Sequence, residues 1–165
     1  AALLTEQKSV KTTLMAKLTL RYRYDPSYFD NTLTRDDFGR LSVTAETKLF
    51  LGKGGFWVQW QDVAEFGEAL RRFPITANEP ISVQWGFDMQ EGDDLILRME
   101  VCPADKRGNL LVKFELADDY EPQDRIRGHF VTNYPDLSRF SDEIARLMSN
   151  EVEEAVFHGQ SSQPS

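Results

Sequence analysis

The stretch 81–116, ISVQWGFDMQEGDDLILRMEVCPADKRGNLLVKFEL, decides the fold class. Ile81, Val83, Trp85 and Phe87 sit at every second position; so do Leu95, Leu97, Met99 and Val101, and then Leu110, Val112, Phe114 and Leu116. A period of two puts each apolar set on one face of a strand. The links, Glu91-Gly92-Asp93-Asp94 and the run 103–109, carry turn residues and are too short for a parallel crossover of a dozen or more residues. The stretch predicts an antiparallel meander.

Working upstream, Leu41, Val43 and Ala45 alternate in a further strand, and Gly52-Lys53-Gly54-Gly55 reads as a tight turn into Phe56-Trp57-Val58-Gln59-Trp60. Asp62, with Glu65 three residues on, has the form of a capping box for a helix bearing Val63, Phe66, Leu70 and Phe73, and Pro74 stops it. Leu18, Leu20, Tyr22 and Tyr24 alternate with Thr19, Arg21 and Arg23 until Asp25-Pro26 opens a long polar connection, 25–37. Downstream, residues 126–131 form a last strand. Pro135-Asp136 then starts a helix with Leu137, Phe140, Ile144, Leu147 and Met148 on one stripe. Residues 1–17 carry no clean pattern and stay an unassigned arm; 151–165 is polar and reads as a fraying tail. The prediction is one α+β domain over 18–150, with a largely antiparallel sheet of about six to seven strands. Two amphipathic helices pack on one face and the other face is open.

Composition bounds what such a domain does. At 165 residues with 41% apolar content the chain can bury a core of its own. Cys102 is the sole cysteine, which excludes an intrachain disulfide and a thiolate-rich zinc site and favours a reducing, cytoplasmic setting. No run approaches the roughly 18 to 20 apolar residues of a membrane span. A net charge of −8 opposes nucleic-acid binding by the molecule as a whole. Neither a membrane nor a nucleic-acid partner is expected.

Motif chemistry is sparse. The glycines at 52, 54 and 55 precede a strand, whereas a phosphate cradle needs a helix there. Asp88, Glu91, Asp93 and Asp94 lack the ligand order of a calcium loop, and Asp118, Asp119, Glu121 and Asp124 read as a solvated turn. His129 alternates outward with Arg127, His158 falls in the expected tail, and Cys102 has no activating neighbour. No metal, cofactor or catalytic set is expected.

What remains is the composition of the inferred outer sheet face. Arg21, Arg23, Arg98, Lys113, Arg125, Arg127 and His129 share it with Trp57 and Gln59, opposed by Glu46, Glu100 and Glu115. Tryptophan among arginines is the residue mix of protein-interface hot spots. The same positions also fit cross-strand salt pairing with a loop over Trp57.

The run Phe56-Trp57-Val58-Gln59-Trp60-Gln61-Asp62-Val63-Ala64-Glu65-Phe66, with Leu70 and Pro74 and later Asp105-Lys106-Arg107-Gly108-Asn109-Leu110, resembles small bacterial proteins of the WapI-type immunity group. The resemblance covers about residues 40–150. It implies a cytosolic antidote that blocks a toxin, and it transfers no catalytic residue. The leading expectation is therefore a non-enzymatic module with a protein partner, gripping it through the Arg/Trp face. Two alternatives stand beside it. One is a ligand binder or enzyme with a cleft under the 25–37 loop, lined by Tyr24, Tyr28, Asp36 and Asp37. The other is a self-associating protein pairing through an edge strand or the Trp57 face.

Overall fold

The computed structural model describes residues 15–24 and 38–161. Its elements are β1 (Met15–Tyr24), β2 (Phe38–Glu46), β3 (Leu51–Gln59), α1 (Trp60–Ala69), β4 (Ile81–Gly86), a 3-10 turn (Gly92–Asp94), β5 (Leu95–Pro103), β6 (Asn109–Ala117), β7 (Arg125–Asn133), α2 (Tyr134–Met148) and β8 (Ala155–Gln160). The fold is α+β, with one antiparallel sheet of eight strands in the order β3-β2-β1-β8-β7-β6-β5-β4. The 25–37 connection, with Tyr28, Asp36 and Asp37, and residues 1–14 and 162–165 lie outside the described residues.

The meander β4–β7 forms, with Val83, Met99, Phe114 and Gly128 in one cross-strand row, but Phe87, expected to continue the inward set of β4, lies past the strand and is exposed. Two strands depart from expectation. The glycine run at 52–55 is not a turn but part of β3, and the hairpin turn lies earlier, at 47–50. The glycines answer to close packing. A Cβ on Gly54 would stand 2.8 Å from the Ala117 carbonyl oxygen, and one on Gly52 would stand 2.3 Å from Ile126. The second departure is β8, built from residues expected to fray. It enters the middle of the sheet, antiparallel to β1 from Met15↔Gln160 to Leu20↔Ala155, so β1 itself begins at Met15 rather than Leu18. These residues raise the strand number to eight.

The sheet is two four-stranded leaves. Among the described residues β8 joins β7 at the single register pair Val131↔Gln160, and the two strands diverge beyond it. The first leaf rolls until β3 lies against β4, β5, β6 and β7. A latch holds the roll: both terminal nitrogens of Arg40 on β2 donate to the Asp119 carboxylate after β6, at 2.7 and 2.9 Å. Asp119 keeps 10% of its side-chain surface exposed. The Arg40 guanidinium holds its carboxyl below the usual carboxylate range.

Both helices pack on the concave face, as expected. Leu137, Phe140, Ile144 and Leu147 of α2 are buried against β8, β1 and β7, where the Phe140 ring stacks on Phe157 at 4.5 Å. Val63, Phe66 and Leu70 are buried in the same core, and where α1 packs on α2 Gly67 allows close approach, since a Cβ there would lie 2.6 Å from Ile144 Cγ2. The Ser141 hydroxyl donates to the Gly67 carbonyl at 2.7 Å. The capping box expected at Asp62 does not form, because β3 runs directly into α1 at Trp60 and Gln59 makes no side-chain cap. Phe73 lies past the helix, exposed, edge-on to Tyr134 at 4.9 Å. At α2 the cap is Asn133, which accepts from the Asp136 N–H at 2.8 Å.

Candidate functional site

The residues expected to form one outer patch fall into two groups. On the first leaf, Arg23, Arg40 and Trp57 share a cross-strand row, with Gln59 two residues further along β3. Trp57 is half-buried, and the Arg40 guanidinium lies over its ring, 5.9 Å from the centroid. Arg21 is held by Glu154 at 2.8 Å. On the second leaf, Arg98, Arg125, Arg127 and His129 gather with Lys113. The acidic turn 118–124 bridges the groups: Asp119 binds Arg40, and the Pro122 carbonyl accepts from Arg125 at 3.1 Å.

The second group is the better developed. Register places Gln84, Arg98, Glu115 and Arg127 in one row and Ser82, Glu100, Lys113 and His129 in the next. Glu115 receives Arg125 and, at 2.9 Å, Arg127; Glu100 receives Arg98 at 3.5 Å and Lys113 at 3.8 Å. Four cations therefore share two carboxylates, which leaves positive charge in excess on a chain of net charge −8. The carboxylates lie low in the sheet while Arg98, Lys113 and Arg127 stand out from it. They rim a depression of about 530 Å³ whose floor includes Leu111, Phe114 and Gly128. The salt pairing read from the sequence as one of two options is thus present in this leaf. Arg125 serves the fold, since its guanidinium also donates to the Leu95 carbonyl at 2.9 Å.

A neighbouring feature escaped the sequence reading. The β2–β3 turn overhangs the point where β7 leaves β8, and Leu49 and Phe50 share a second depression with Arg127, Gly128 and His129. Leu49, Phe50 and Leu51 are 77%, 57% and 64% exposed. Three consecutive large apolar residues held in water form a prong beside the cationic ladder. The signal was in the sequence as Leu49-Phe50-Leu51, but with the turn placed on the glycines these residues had no assigned role.

The remaining titratable groups do not converge. Cys102 shares its row with Leu111 and Val131, two strands from His129 and out of its register, and burial pushes its thiol up. Among the described residues no three His, Cys, Asp or Glu side chains are grouped to hold a metal ion. Among the same residues no helix is long and apolar enough to cross a membrane. His158 lies on β8, opposite Lys17, rather than in a tail. Comparison with protein-family models and with curated proteins returns no match.

Proposed function

We propose that this protein is a non-enzymatic binding module that recognises a partner protein through the outer face of β5–β7 and the apolar turn beside it. The observation that carries the reading is the prong of Leu49, Phe50 and Leu51 standing next to a ladder with cations in excess. Apolar side chains that seat in a partner pocket supply most of an interface's energy, and surrounding charges set orientation and encounter rate. The matching surface is an apolar pocket with an acidic rim. The resemblance to the WapI-type immunity group supports toxin neutralisation in a cytosolic setting as the form this binding takes.

The test is capture from the native host by the tagged protein, compared with Leu49→Asp/Phe50→Asp and with Arg127→Glu, with light scattering on each sample. The expected result is a stoichiometric partner held by the wild type, lost from the apolar variant and weakened about tenfold or more by the charge reversal, with melting temperatures unchanged. A partner retained equally by all three proteins rejects this face. A partner-free monomer returns the weight to a ligand-binding or enzymatic role, and a concentration-dependent mass to self-association.

A further inference from the structure

Among the described residues the second leaf ends in an open edge. β4 pairs with β5 on one side and, among the described residues, with no strand on the other. An edge strand exposes the N–H and C=O groups of alternate residues, and natural sheets guard such edges with charge, proline, bulges or covering chain. β4 reads Ile81-Ser82-Val83-Gln84-Trp85-Gly86, with no charged residue and no proline inside it. The opposite edge, β3, carries Lys53 and three glycines and is rolled against the second leaf. A register shift at Trp85/Gly86 terminates β4 and leaves the preceding residues regular.

Beside this edge runs a groove of about 400 Å³. Its other wall is α1, through Asp62, Glu65, Phe66 and Ala69. These stand at i, i+3, i+4 and i+7, one stripe of the helix. Phe66 and Trp85 give the groove an apolar base, and Asp62 and Glu65 give it an acidic wall. No basic residue lines it, and among the described residues neither carboxylate has an ion-pair partner. This differs from the outer face of β5–β7, where Glu100 and Glu115 are each shared by two cations.

We infer that the groove between α1 and the free edge of β4 takes an extended basic segment of a partner protein as a ninth strand of the sheet. The backbone of the segment pairs with β4, which supplies affinity independent of sequence, and side chains at every second position supply selectivity. Those facing α1 are lysine or arginine, which pair with Asp62 and Glu65 by charge-assisted hydrogen bonds. The inference does not rest on the outer-face reading, which uses a different surface.

The probe is a labelled ten-residue peptide alternating valine and lysine, followed by fluorescence anisotropy with the full chain. Three comparison peptides accompany it: alternating valine and glutamate, the same valine–lysine sequence N-methylated at alternate amides, and one broken by central prolines. Two protein variants separate local from general charge. Asp62→Lys/Glu65→Lys alters the groove wall, and Glu121→Lys/Glu153→Lys makes the same change in net charge at residues that do not line it. The expected result is saturable binding of the valine–lysine peptide, lost on N-methylation and proline insertion. The affinity falls tenfold or more in the groove variant and less than threefold in the charge-matched one, and the β4 amides slow in hydrogen exchange. Absence of binding overturns the inference, as does equal binding of the glutamate or N-methylated peptide. Equal loss in the two variants also overturns it, because general attraction to an acidic protein would then account for the binding.

Discussion

Asp119 occupies a loop position that reads as ordinary solvated charge, and its neighbours in sequence give no hint that its partner lies 79 residues away on β2. The pairing changes how the protein responds to acid. Because its carboxyl titrates below the usual range in the folded chain, it binds fewer protons there than when unfolded. The contribution is therefore whole above the unfolded pKa of about 4 and is lost as pH falls through the lower folded value. Asp119→Asn is expected to cost about 1–2 kcal/mol in urea unfolding at pH 7. The gap between variant and wild type should close well below pH 4; a gap constant with pH would mean that the residue acts through packing alone. Outer-face positions such as Arg127 and His129 were legible from alternation, because orientation within a strand is a local property. That Arg125 is anchored and Trp57 sits beneath Arg40 was not legible, since both depend on which strands become neighbours.

Elements with a strong period form where the pattern puts their centres, though Phe73 and Phe87, the last residues of two periodic sets, lie past α1 and β4 and are exposed; β3 and β8 show where period fails altogether. In β8 the inward residues are Ala155, Phe157 and Gly159, and a Cβ on Gly159 would lie 2.2 Å from the Phe130 ring. Small inward residues give little hydropathy contrast, so a central strand looks like a tail. Phe157 carries the weight of the element, stacked on Phe140 and edge-on to Phe130 at 5.4 Å. Phe157→Ala is expected to lose about 3–5 kcal/mol, and a chain truncated after Asn150 to show no cooperative thermal transition; a normal transition would show β8 to be dispensable. In β3 the glycines concealed a strand because they are disfavoured in strands unless another backbone comes close. Gly54→Val should destabilise by about 2 kcal/mol or more, since its branches meet the Ala117 backbone rather than a flexible side chain. Denaturant midpoints would check this, and an unchanged midpoint would mean that β3 can lift away.

At the scale of the molecule, α+β class, antiparallel pairing and helices on one face all followed from local pattern, while strand order did not. Order governs the candidate site. It sends the predicted patch to two leaves, brings the 47–50 turn beside Arg127 and His129, and leaves β4 at the rim. The leaves meet where β8 joins β7, and within the first leaf β8 pairs with β1, a strand from a distant part of the sequence tied to it by Arg21 and Glu154 across 133 positions. During synthesis β1 emerges before the other described strands and finds β2 soon after, yet its other side has no mate until β8, the last of them, has been made. Closure over so long a separation delays folding. Through that interval the nascent chain carries a strand with one open edge, lined by Leu18 and Leu20, so the period of greatest exposure to aggregation or chaperone capture ends when β8 leaves the ribosome.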